Sequence, residues 1–386
     1  MATKALKLRF YPTTEQKELI EKTFGCVRFV YNSILRWRVD AYYNDGVKIG
    51  YLAASKRLTE LKNEFEWLRE VSSIPLQQAI RNQQAAFKNF FDKRSGYPKF
   101  KKKKSHQSFR IVGTSIRWDG ENLRIPKSET PLKIRWSYDR PKHISSFSIS
   151  RDPSGRYFVS LTTEFEPQVL PETSNKAGVD LGVKDVAVTS DGYKSGSPKF
   201  AKKHEQKLAY LQRELSKKQR GGSNYNKLQK RIAKLHARIG DSRRDFLHKL
   251  SRKLVNENQV IAFEDLNVRG MMKNRKLSKA IGDIGMYELK RQVRYKSEWA
   301  GRTFVEIDRF FPSSKRMSCC GYVLDKLNLS ERTVTCPECG VIHDRDINAA
   351  KNILAAGLAV IASGATGTGA DESLSREGVL NEESYE

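Results

Sequence analysis

The sequence lacks any apolar run long enough to cross a membrane or to act as a secretion signal. It has only five cysteines in 386 residues, and four of them lie close together at Cys319, Cys320, Cys336 and Cys339. These absences argue against a membrane protein and a disulfide-stabilised secreted domain, and they favour a cytoplasmic protein with a metal site. The fifth cysteine, Cys26, lies in an apolar helical pattern and is predicted to be a core residue.

Acidic residues are also few relative to basic ones. Lysine and arginine number 71 against 44 aspartates and glutamates, and the formal net charge is +27. Such an excess favours a polyanionic partner, with nucleic acid ahead of an anionic membrane. A structural RNA- or chromatin-binding protein that only neutralises phosphate would share this composition, so composition alone does not identify an enzyme.

The hydrophobic periodicity changes several times along the chain. Residues 1–12 alternate like a strand, residues 13–104 show helical spacing, and residues 105–170 contain several short strands separated by turn signals. We expect the first strand to complete a small β-barrel with the later ones. From residue 171 the pattern becomes that of an α/β enzyme, with two long charged helices separated by Gly221 and Gly222.

Charge is unevenly distributed in this second half. The two long helices carry lysines and arginines away from their apolar seam, so their outer face is either a candidate nucleic-acid surface or an ordinary solvated face. The chain ends in an alanine- and glycine-rich stretch followed by acidic residues. This composition predicts a disordered tail over residues 359–386.

Three carboxylates lie at the ends of apolar segments. Asp180 ends one predicted strand, Glu264 follows another, and Asp346 begins a helical segment. Strand ends can bring such distant residues to one edge of a sheet. There, two Mg²⁺ ions about 4 Å apart would activate water and stabilise the leaving oxygen of a phosphodiester. Acids at strand ends are common, however, and Glu264 taken alone fits an N-cap or turn residue.

The clustered cysteines have the spacing of zinc ligands. A Cys-x2-Cys pair at residues 336–339 is preceded by Met-x2-Cys at residues 317–320. Zn²⁺ prefers thiolate, imidazole or carboxylate ligands, so Met317 is a poor first ligand. A three-cysteine site with water and a knuckle without metal are the alternatives. The predicted zinc ligands are Cys320, Cys336 and Cys339, with Cys319 or His343 in the fourth position.

A basic run with interleaved aromatic residues occupies residues 93–104. Aromatic rings such as those of Tyr97 and Phe100 can stack on bases while neighbouring lysines contact phosphates. A solvated linker is the alternative for a charge run alone. The predicted contacts to a nucleic-acid backbone are Lys99, Lys101, Lys102 and Lys103.

Residues 178–185, 263–266 and 343–353 resemble the three RuvC segments of TnpB proteins. These are insertion-sequence-encoded relatives of type V CRISPR effectors, formerly labelled OrfB transposases. The similarity covers nearly the whole chain except the acidic tail, and several ordered motifs at matching separations make it specific. Shorter matching motifs lie at residues 8–12, 28–32, 97–101, 311–315 and 336–340.

The resemblance implies an RNA-guided DNA endonuclease in which Asp180, Glu264 and Asp346 hold two Mg²⁺ ions. Asp344 and Asp185 would make structural hydrogen bonds, and Arg345 would either orient a phosphate or pair with an acid. The implied fold is a multidomain α/β and α+β protein with an RNase H-like RuvC core. Its parts would be a wedge β-barrel (residues 1–12 and 105–170), a helical recognition domain (13–104), the RuvC nuclease (171–315 and 343–358) and a zinc-ribbon-like insert that binds target nucleic acid (316–342).

The resemblance also implies the partners. A guide RNA from the transposon end would pair with double-stranded DNA, and a single protein copy in the cytoplasm, associated with the nucleoid, would cut next to a short flanking motif. Contacts to that flank would come from Tyr51, Ser55 and Gln77, whose hydroxyl and amide groups can bond base edges. A nuclease-inactive RNA-guided regulator is the alternative, and intact acids argue against it. A DNA-strand transposase ranks lower, because no Tyr–His–His arrangement is evident.

Overall fold

The computed structural model describes residues 1–327 and 331–364 of the 386-residue chain. The described residues form two compact units, residues 1–166 and residues 167–364. Both units contain helices and strands, as the predicted mixed class requires. No helix in the described ranges is long and apolar enough to span a bilayer. The predicted tail lies outside the described residues from residue 365 onward.

The first unit contains three α-helices: α1 (Thr14–Asp45), α2 (Tyr51–Glu64) and α3 (Ser73–Phe91). The Thr13 hydroxyl accepts a hydrogen bond from the Gln16 amide, and the Gln16 side chain accepts one from the Thr13 amide. This capping box begins α1 as its sequence predicts. Cys26 is 3% exposed in the core of the unit, which confirms its predicted place.

The strands of the first unit form one antiparallel sheet and one short hairpin. They are β1 (Ala2–Phe10), β2 (Gln107–Val112), β3 (Arg117–Asp119), β4 (Asn122–Arg124), β5 (Ile134–Arg135), β6 (Ser146–Arg151) and β7 (Tyr157–Phe165). The sheet order is β2-β6-β7-β1-β5, and β3 pairs with β4. β1 therefore joins the later strands, as predicted. Within the described residues β2 and β5 do not pair with each other, so closure into a barrel is not confirmed.

The second unit is built on a mixed four-stranded sheet. Its strands are β8 (Lys176–Asp180), β9 (Val188–Thr189), β10 (Val260–Glu264) and β11 (Thr303–Ile307), in the order β11-β10-β8-β9. The first three in this order are parallel, and β9 is an antiparallel edge strand. A separate hairpin joins β12 (Thr333–Thr335) and β13 (Ile342–Asp344).

Seven helices surround or extend this sheet. They are α4 (Phe200–Lys203), α5 (Glu205–Ser216), α6 (Ser223–Glu257), α7 (Val268–Met272), α8 (Ser278–Ile284), α9 (Met286–Ala300) and α10 (Arg345–Ala362). The C-terminal half of α6 packs into the core of the sheet through residues such as Leu247 and Leu254. Its N-terminal half packs on α5 instead, with Leu235 and Ile239 against Leu211, so the predicted helical hairpin is confirmed.

α10 lies very close to the sheet because glycine occupies the crossing points. A Cβ atom on Gly178 in β8 would collide with the carbonyl oxygen of Ala350 and the amide nitrogen of Leu354. A Cβ atom on Gly357 would lie 2.6 Å from the Cβ of Ala262 in β10. The end of β8 and the start of α10 are therefore fixed relative to each other by direct backbone contact.

The length of α10 corrects one prediction. The helix continues to Ala362, so disorder from residue 359 is wrong for residues 359–362. Ala356 and Val360 pack against Val305 and Ile307 of β11, and this burial stabilises a stretch whose composition resembles low complexity.

Candidate active site and metal centre

Asp180 and Glu264 are neighbours at the carboxyl edge of the sheet. Each is the last residue of its parallel strand, and the register that pairs Val179 with Phe263 puts the two acids at the same level. Val179 and Phe263 are buried in the core, which holds both strand ends in place. The structure thus brings together two of the three predicted acids.

Asp346 lies in the first turn of α10, opposite the strand ends that α10 crosses. The preceding acid, Asp344, is the N-cap of the helix and accepts hydrogen bonds from the amides of Asp346 and Ile347, both at 3.1 Å. Asp344 also pairs with Lys194 at 2.6 Å. Asp344 therefore has a structural role, as does Asp185, which accepts a bond from the Gly196 amide at 3.1 Å.

The three predicted acids interact electrostatically. Burial, followed by the negative charges of Glu264 and Asp346, raises the pKa of Asp180 to about 7, and the positive charge of Arg345 acts in the opposite direction. Negative charge is thus concentrated in a partly buried place, where a bound cation would relieve the repulsion.

Ser313 holds Glu264 in position. Its hydroxyl donates a hydrogen bond to the Glu264 carboxylate, and Asn352 in α10 donates to the Ser313 carbonyl at 2.9 Å. Burial raises the pKa of Glu264, and the bond from Ser313 lowers it to a smaller extent. Residues 311–315 belong to a matching motif, but no role for Ser313 could be predicted, because a serine after a proline is an ordinary turn residue.

Two arginines bind Asp346. Arg332 Nη1 lies 2.8 Å from Asp346 Oδ2, and Arg345 Nη2 lies 3.2 Å from Asp346 Oδ1. Arg345 also donates to the Glu331 carbonyl at 3.0 Å. Of the two roles open for Arg345, pairing with an acid is the one that the structure shows. Arg332 precedes β12 in a stretch without a periodic pattern, so nothing in the sequence identified it.

The carboxylates are less tightly grouped than the cysteines. Within residues 1–327 and 331–364, one group of at least three His, Cys, Asp or Glu residues has all its ligand atoms within 4.8 Å of one another, and it consists of the four cysteines. Asp180, Glu264 and Asp346 form a more open cluster, which we call the acid cluster. Oxygen donors of this kind suit Mg²⁺, and Ser313, Arg332 and Arg345 take part of their bonding capacity.

The four cysteines form what we call the thiol cluster. The Sγ atoms of Cys319 and Cys339 are 3.1 Å apart, those of Cys320 and Cys336 are 3.4 Å apart, and those of Cys319 and Cys320 are 3.8 Å apart. A tetrahedral zinc site with Zn–S bonds of about 2.3 Å has sulfurs about 3.8 Å apart, so these thiols fit that ion.

The thiol cluster also narrows the choice of the fourth ligand. Cys319 belongs to the cluster, although its position next to Cys320 argued for strain, and His343 does not belong to it. Met317, which occupies the usual position of the first ligand, is completely buried and packs as an apolar residue. A turn from Met317 to Gly321, closed by the hydrogen bond from the Gly321 amide to the Met317 carbonyl at 2.8 Å, presents both cysteines.

The residues predicted to contact the DNA flank lie on two helices of the first unit. Tyr51 begins α2, and its hydroxyl accepts a hydrogen bond from Arg81 Nε at 3.3 Å. Ser55 is half-buried one turn later, and Gln77 is exposed near the start of α3. Tyr51 and α3 are thus brought together through Arg81, but the structure shows no chemistry specific to these three residues.

The basic run after α3 is fixed to α1 at one point. Asn32 accepts a hydrogen bond from the Lys101 amide at 2.8 Å and donates one to the Lys101 carbonyl at 3.0 Å, while Lys101 Nζ lies 4.8 Å from the centre of the Tyr31 ring. Lys99, Lys102 and Lys103 are exposed. This contact explains why the motifs at residues 28–32 and 97–101 occur together.

Exposed aromatic rings surround the same loop, and the sequence did not single out most of them. Phe87 and Phe90 pack edge-on against Tyr97, with ring centres 5.7 and 5.2 Å apart. Phe91 is 70% exposed and Tyr43 is 76% exposed. Rings this accessible beside lysines form a surface on which bases can stack.

Three family models match this chain. One described as "Probable transposase" matches residues 158–275, one described as "Cas12f1-like, TNB domain" matches residues 287–353, and one described as "Helix-turn-helix domain" matches residues 1–46. The first match includes Asp180 and Glu264, and the second includes the thiol cluster and Asp346.

Curated relatives match along nearly the full length. A protein of Streptomyces pristinaespiralis is 46% identical over 94% of this chain and 91% of its own length, and it is provisionally named an RNA-guided DNA endonuclease. InsQ of Escherichia coli, which has the same provisional name, is 32% identical over 93% of this chain and 94% of its own length. A solved Cas12f1–sgRNA–target DNA complex overlaps 92% of this chain and 99% of that chain, with 17% identity and a TM-score of 0.37, which is too low to add to the fold description.

Proposed function

This chain belongs to the TnpB family of RNA-guided DNA endonucleases, and from that we propose that it cuts double-stranded DNA beside a short flanking motif, at a site chosen by pairing with a transposon-encoded guide RNA. The observation that carries this proposal is the acid cluster. Three acids from distant segments converge at the carboxyl edge of a sheet, and burial, together with the negative charges of Glu264 and Asp346, raises the pKa of Asp180 to about 7.

Asp180, Glu264 and Asp346 would hold two Mg²⁺ ions. When bound, such ions activate water and stabilise the leaving oxygen in phosphodiester hydrolysis. The chain itself orients the ligands: Ser313 fixes one Glu264 oxygen, and α10 fixes Asp346 against the strand ends.

Arg332 and Arg345 would attract the substrate. A guanidinium group binds phosphate through two parallel hydrogen bonds as readily as it binds a carboxylate. Because Arg332 belongs to the cysteine-containing insert, its contact with Asp346 links the insert to the acid cluster. The insert at residues 316–342 would thereby help to place the DNA strand, and the thiol cluster would hold a structural Zn²⁺ ion.

The first unit would bind nucleic acid without cutting it. Its helices at residues 13–104 would contact the DNA flank through Tyr51, Ser55 and Gln77, of which exposed Gln77 can make the paired bonds that an adenine offers. Lys99, Lys101, Lys102 and Lys103 would contact the backbone. Residues 1–12 and 105–170 would form the wedge, and residues 171–315 with 343–358 the RNase H-like RuvC nuclease, acting as one protein copy in the cytoplasm near the nucleoid.

The test combines the protein, purified with its native guide RNA, with a plasmid library that carries a matching target and a randomised flank in Mg²⁺ buffer. We expect cleavage of a subset of plasmids that share one flank, and no cleavage by Asp180→Ala. Asp241→Ala, which removes an exposed acid on α6, is the control and should cut normally. Cleavage that persists in Asp180→Ala would contradict the metal assignment, and binding without cleavage by the wild type would instead support a regulator.

A further inference from the structure

A loop at the carboxyl edge of the sheet leads from β11 towards the cysteine-containing insert. It comprises residues 308–313, and we call it the edge loop. Ile307, the residue before it, is paired with Glu264 in the register of β10 and β11. Ser313, its last residue, donates a hydrogen bond to the Glu264 carboxylate. The edge loop therefore begins and ends beside the acid cluster.

Hydrogen bonds within the edge loop fix its backbone. The amides of Phe310 and Phe311 donate to the side chain and the carbonyl of Asp308, at 2.7 and 3.2 Å. The Ser313 amide donates to the Phe311 carbonyl at 2.8 Å, and the Phe311 ring packs against the apolar core. Because Phe311 is directed inward and the backbone around it is bonded, the loop holds the Phe310 side chain on the outside.

Phe310 is exposed to an unusual degree. It is 87% exposed, and among the described residues only Met1 is a more exposed large apolar residue. A phenylalanine ring has no polar atom that gains from contact with water, so this exposure does not stabilise the fold. Single exposed apolar residues are common on protein surfaces, but this ring is held by a fixed loop beside the acid cluster. Its position is therefore better explained by contact with a substrate.

The one cation of the edge loop already has a partner. Arg309 donates through Nε to the carbonyl of Asp265 at 3.0 Å and through Nη2 to the Asp265 carboxylate. Because the Arg309 charge is balanced in this way, the Phe310 ring is the main group that the loop offers to a substrate. An open aromatic face suits a nucleotide base, since every base has a π-face and stacking requires no particular sequence.

The position of Phe310 limits which base it can reach. Phe310 is three residues before Ser313, so their Cα atoms are at most about 11 Å apart. This length corresponds to about three nucleotides at 3.4 Å each. The base must also be unpaired, because within a duplex both of its faces are covered by the neighbouring base pairs.

We infer that Phe310 stacks on an unpaired base of the DNA strand that is being cut, within about three nucleotides of the scissile phosphate. The inference rests on the proposed function, because the acid cluster must be the place of cutting. Phe310 would align the strand with the acid cluster without taking part in bond breaking. The guide RNA would still choose the target, since stacking is independent of sequence.

The test measures cleavage of target DNA in which one abasic nucleotide is moved through successive positions on either side of the mapped cut. The protein is bound to its guide RNA, and wild type is compared with Phe310→Ala, Phe310→Leu and Phe310→Tyr. Ile361→Ala is the control, because it removes an apolar side chain that is 40% exposed. Ile361 lies about 22 Å along α10 from Asp346 at 1.5 Å per residue.

One abasic position within about three nucleotides of the cut should slow wild type about tenfold, which is the loss expected for one stacked base. Phe310→Ala should cut intact DNA about tenfold more slowly and should not respond to the abasic nucleotide, because both changes remove the same contact. Phe310→Tyr should stay within about threefold of wild type, and Phe310→Leu, which keeps an apolar side chain without a ring, should resemble Phe310→Ala. The control should match wild type on both kinds of DNA.

Crosslinking reads the same contact without cleavage. In the Asp180→Ala background, 5-iodouracil is placed at successive positions of each DNA strand, and irradiation should join one position to Phe310, as located by mass spectrometry. An abasic nucleotide that slows Phe310→Ala as much as wild type, or adducts only at other residues, would overturn the inference. If wild type cuts no DNA, the proposed nuclease is refuted. The adduct then decides alone, since its presence supports the stacking contact and its absence refutes it.

Discussion

The acid cluster and the thiol cluster are both suited to metal ions, but the chain builds them in opposite ways. The acids are positioned by a parallel sheet and by a helix that contacts it backbone to backbone, so their framework exists without a cation. The thiols lie on two turns beside the hairpin of β12 and β13, whose strands have three residues each. Few buried apolar side chains stabilise this segment. We conclude that the folded chain forms the acid cluster without a metal ion. The segment around the thiol cluster, in contrast, would need a bound metal ion for its stability.

The largest expected effect is a loss of DNA cleavage without a loss of stability, on substitution of one residue of the acid cluster. Glu264→Gln should lower cleavage by about 1000-fold, which corresponds to about 4 kcal/mol of lost transition-state stabilisation. Glutamine can still accept the bond from Ser313, so the melting temperature and zinc content should not change. The neighbouring substitution Asp265→Asn, at an acid that pairs with Arg309 and Lys290 instead, is the control and should cost less than about threefold. A large fall in zinc content in Glu264→Gln would contradict the separation.

For the thiol cluster we expect the opposite result, a large loss of zinc and local order with a smaller loss of cleavage. Cys336→Ser should abolish stoichiometric zinc, measured by elemental analysis of the purified chain, and should expose the insert to limited proteolysis. Cleavage should fall about tenfold or more, because Arg332 would no longer be held beside Asp346. Cys26→Ala, which removes a core thiol outside the cluster, should keep its zinc. The fourth ligand is identified by the same assay: Cys319→Ser should lose zinc, and His343→Ala should retain it.

A smaller effect is expected where a neutral side chain supports an acid. Ser313→Ala should lower cleavage by about 10- to 100-fold, the usual range for residues that orient metal ligands. Because the Ser313 hydroxyl lowers the pKa of Glu264, its loss should move the acidic limb of the pH–rate profile to higher pH. Ser314→Ala, one residue away, should change neither quantity. An unshifted profile in Ser313→Ala would show that the hydrogen bond has no part in tuning the site.

The smallest effect concerns stability without metal. The pKa of Asp180 is raised to about 7, so between about pH 4 and pH 7 the native chain holds a proton that the unfolded chain releases. The free energy of unfolding contributed by this residue should therefore fall as pH rises through that interval, by a few kcal/mol at most. Urea unfolding in EDTA should show wild type losing stability relative to Asp180→Asn over this range. A constant difference would mean that burial and the neighbouring charges do not raise the pKa of Asp180 in the native chain.

The sequence predicted the position of a site residue best where a single strand or helix determines that position. The ends of β8 and β10 predicted the level of Asp180 and Glu264, and the helical segment predicted to begin at Asp346 is α10, which begins one residue earlier. It was least informative for partners that come from other segments. Ser313 and Arg332 lie in stretches without periodicity, and their places beside the acids depend on contacts with Asn352 and Asp346 of α10.

Physical reasoning from single positions also misjudged two places. Adjacent Cys319 and Cys320 suggested strain in a tetrahedral site, but the turn from Met317 to Gly321 presents both sulfurs to the same point. The alanine-rich end of α10 suggested disorder, although small residues are what allow a helix to lie flat on a sheet. In both cases the local sequence pattern predicted the wrong structure, because the surrounding fold determined the conformation.

The contact of Gly178 with α10 has a consequence for how such proteins lose activity. A single added methyl group at Gly178 would push β8 away from the helix, and the separation of Asp180 and Asp346 would widen while both residues stayed in the sequence. Descendants of this chain could thus become inert through drift at a glycine. A survey that counts only acidic motifs would then mistake them for working enzymes.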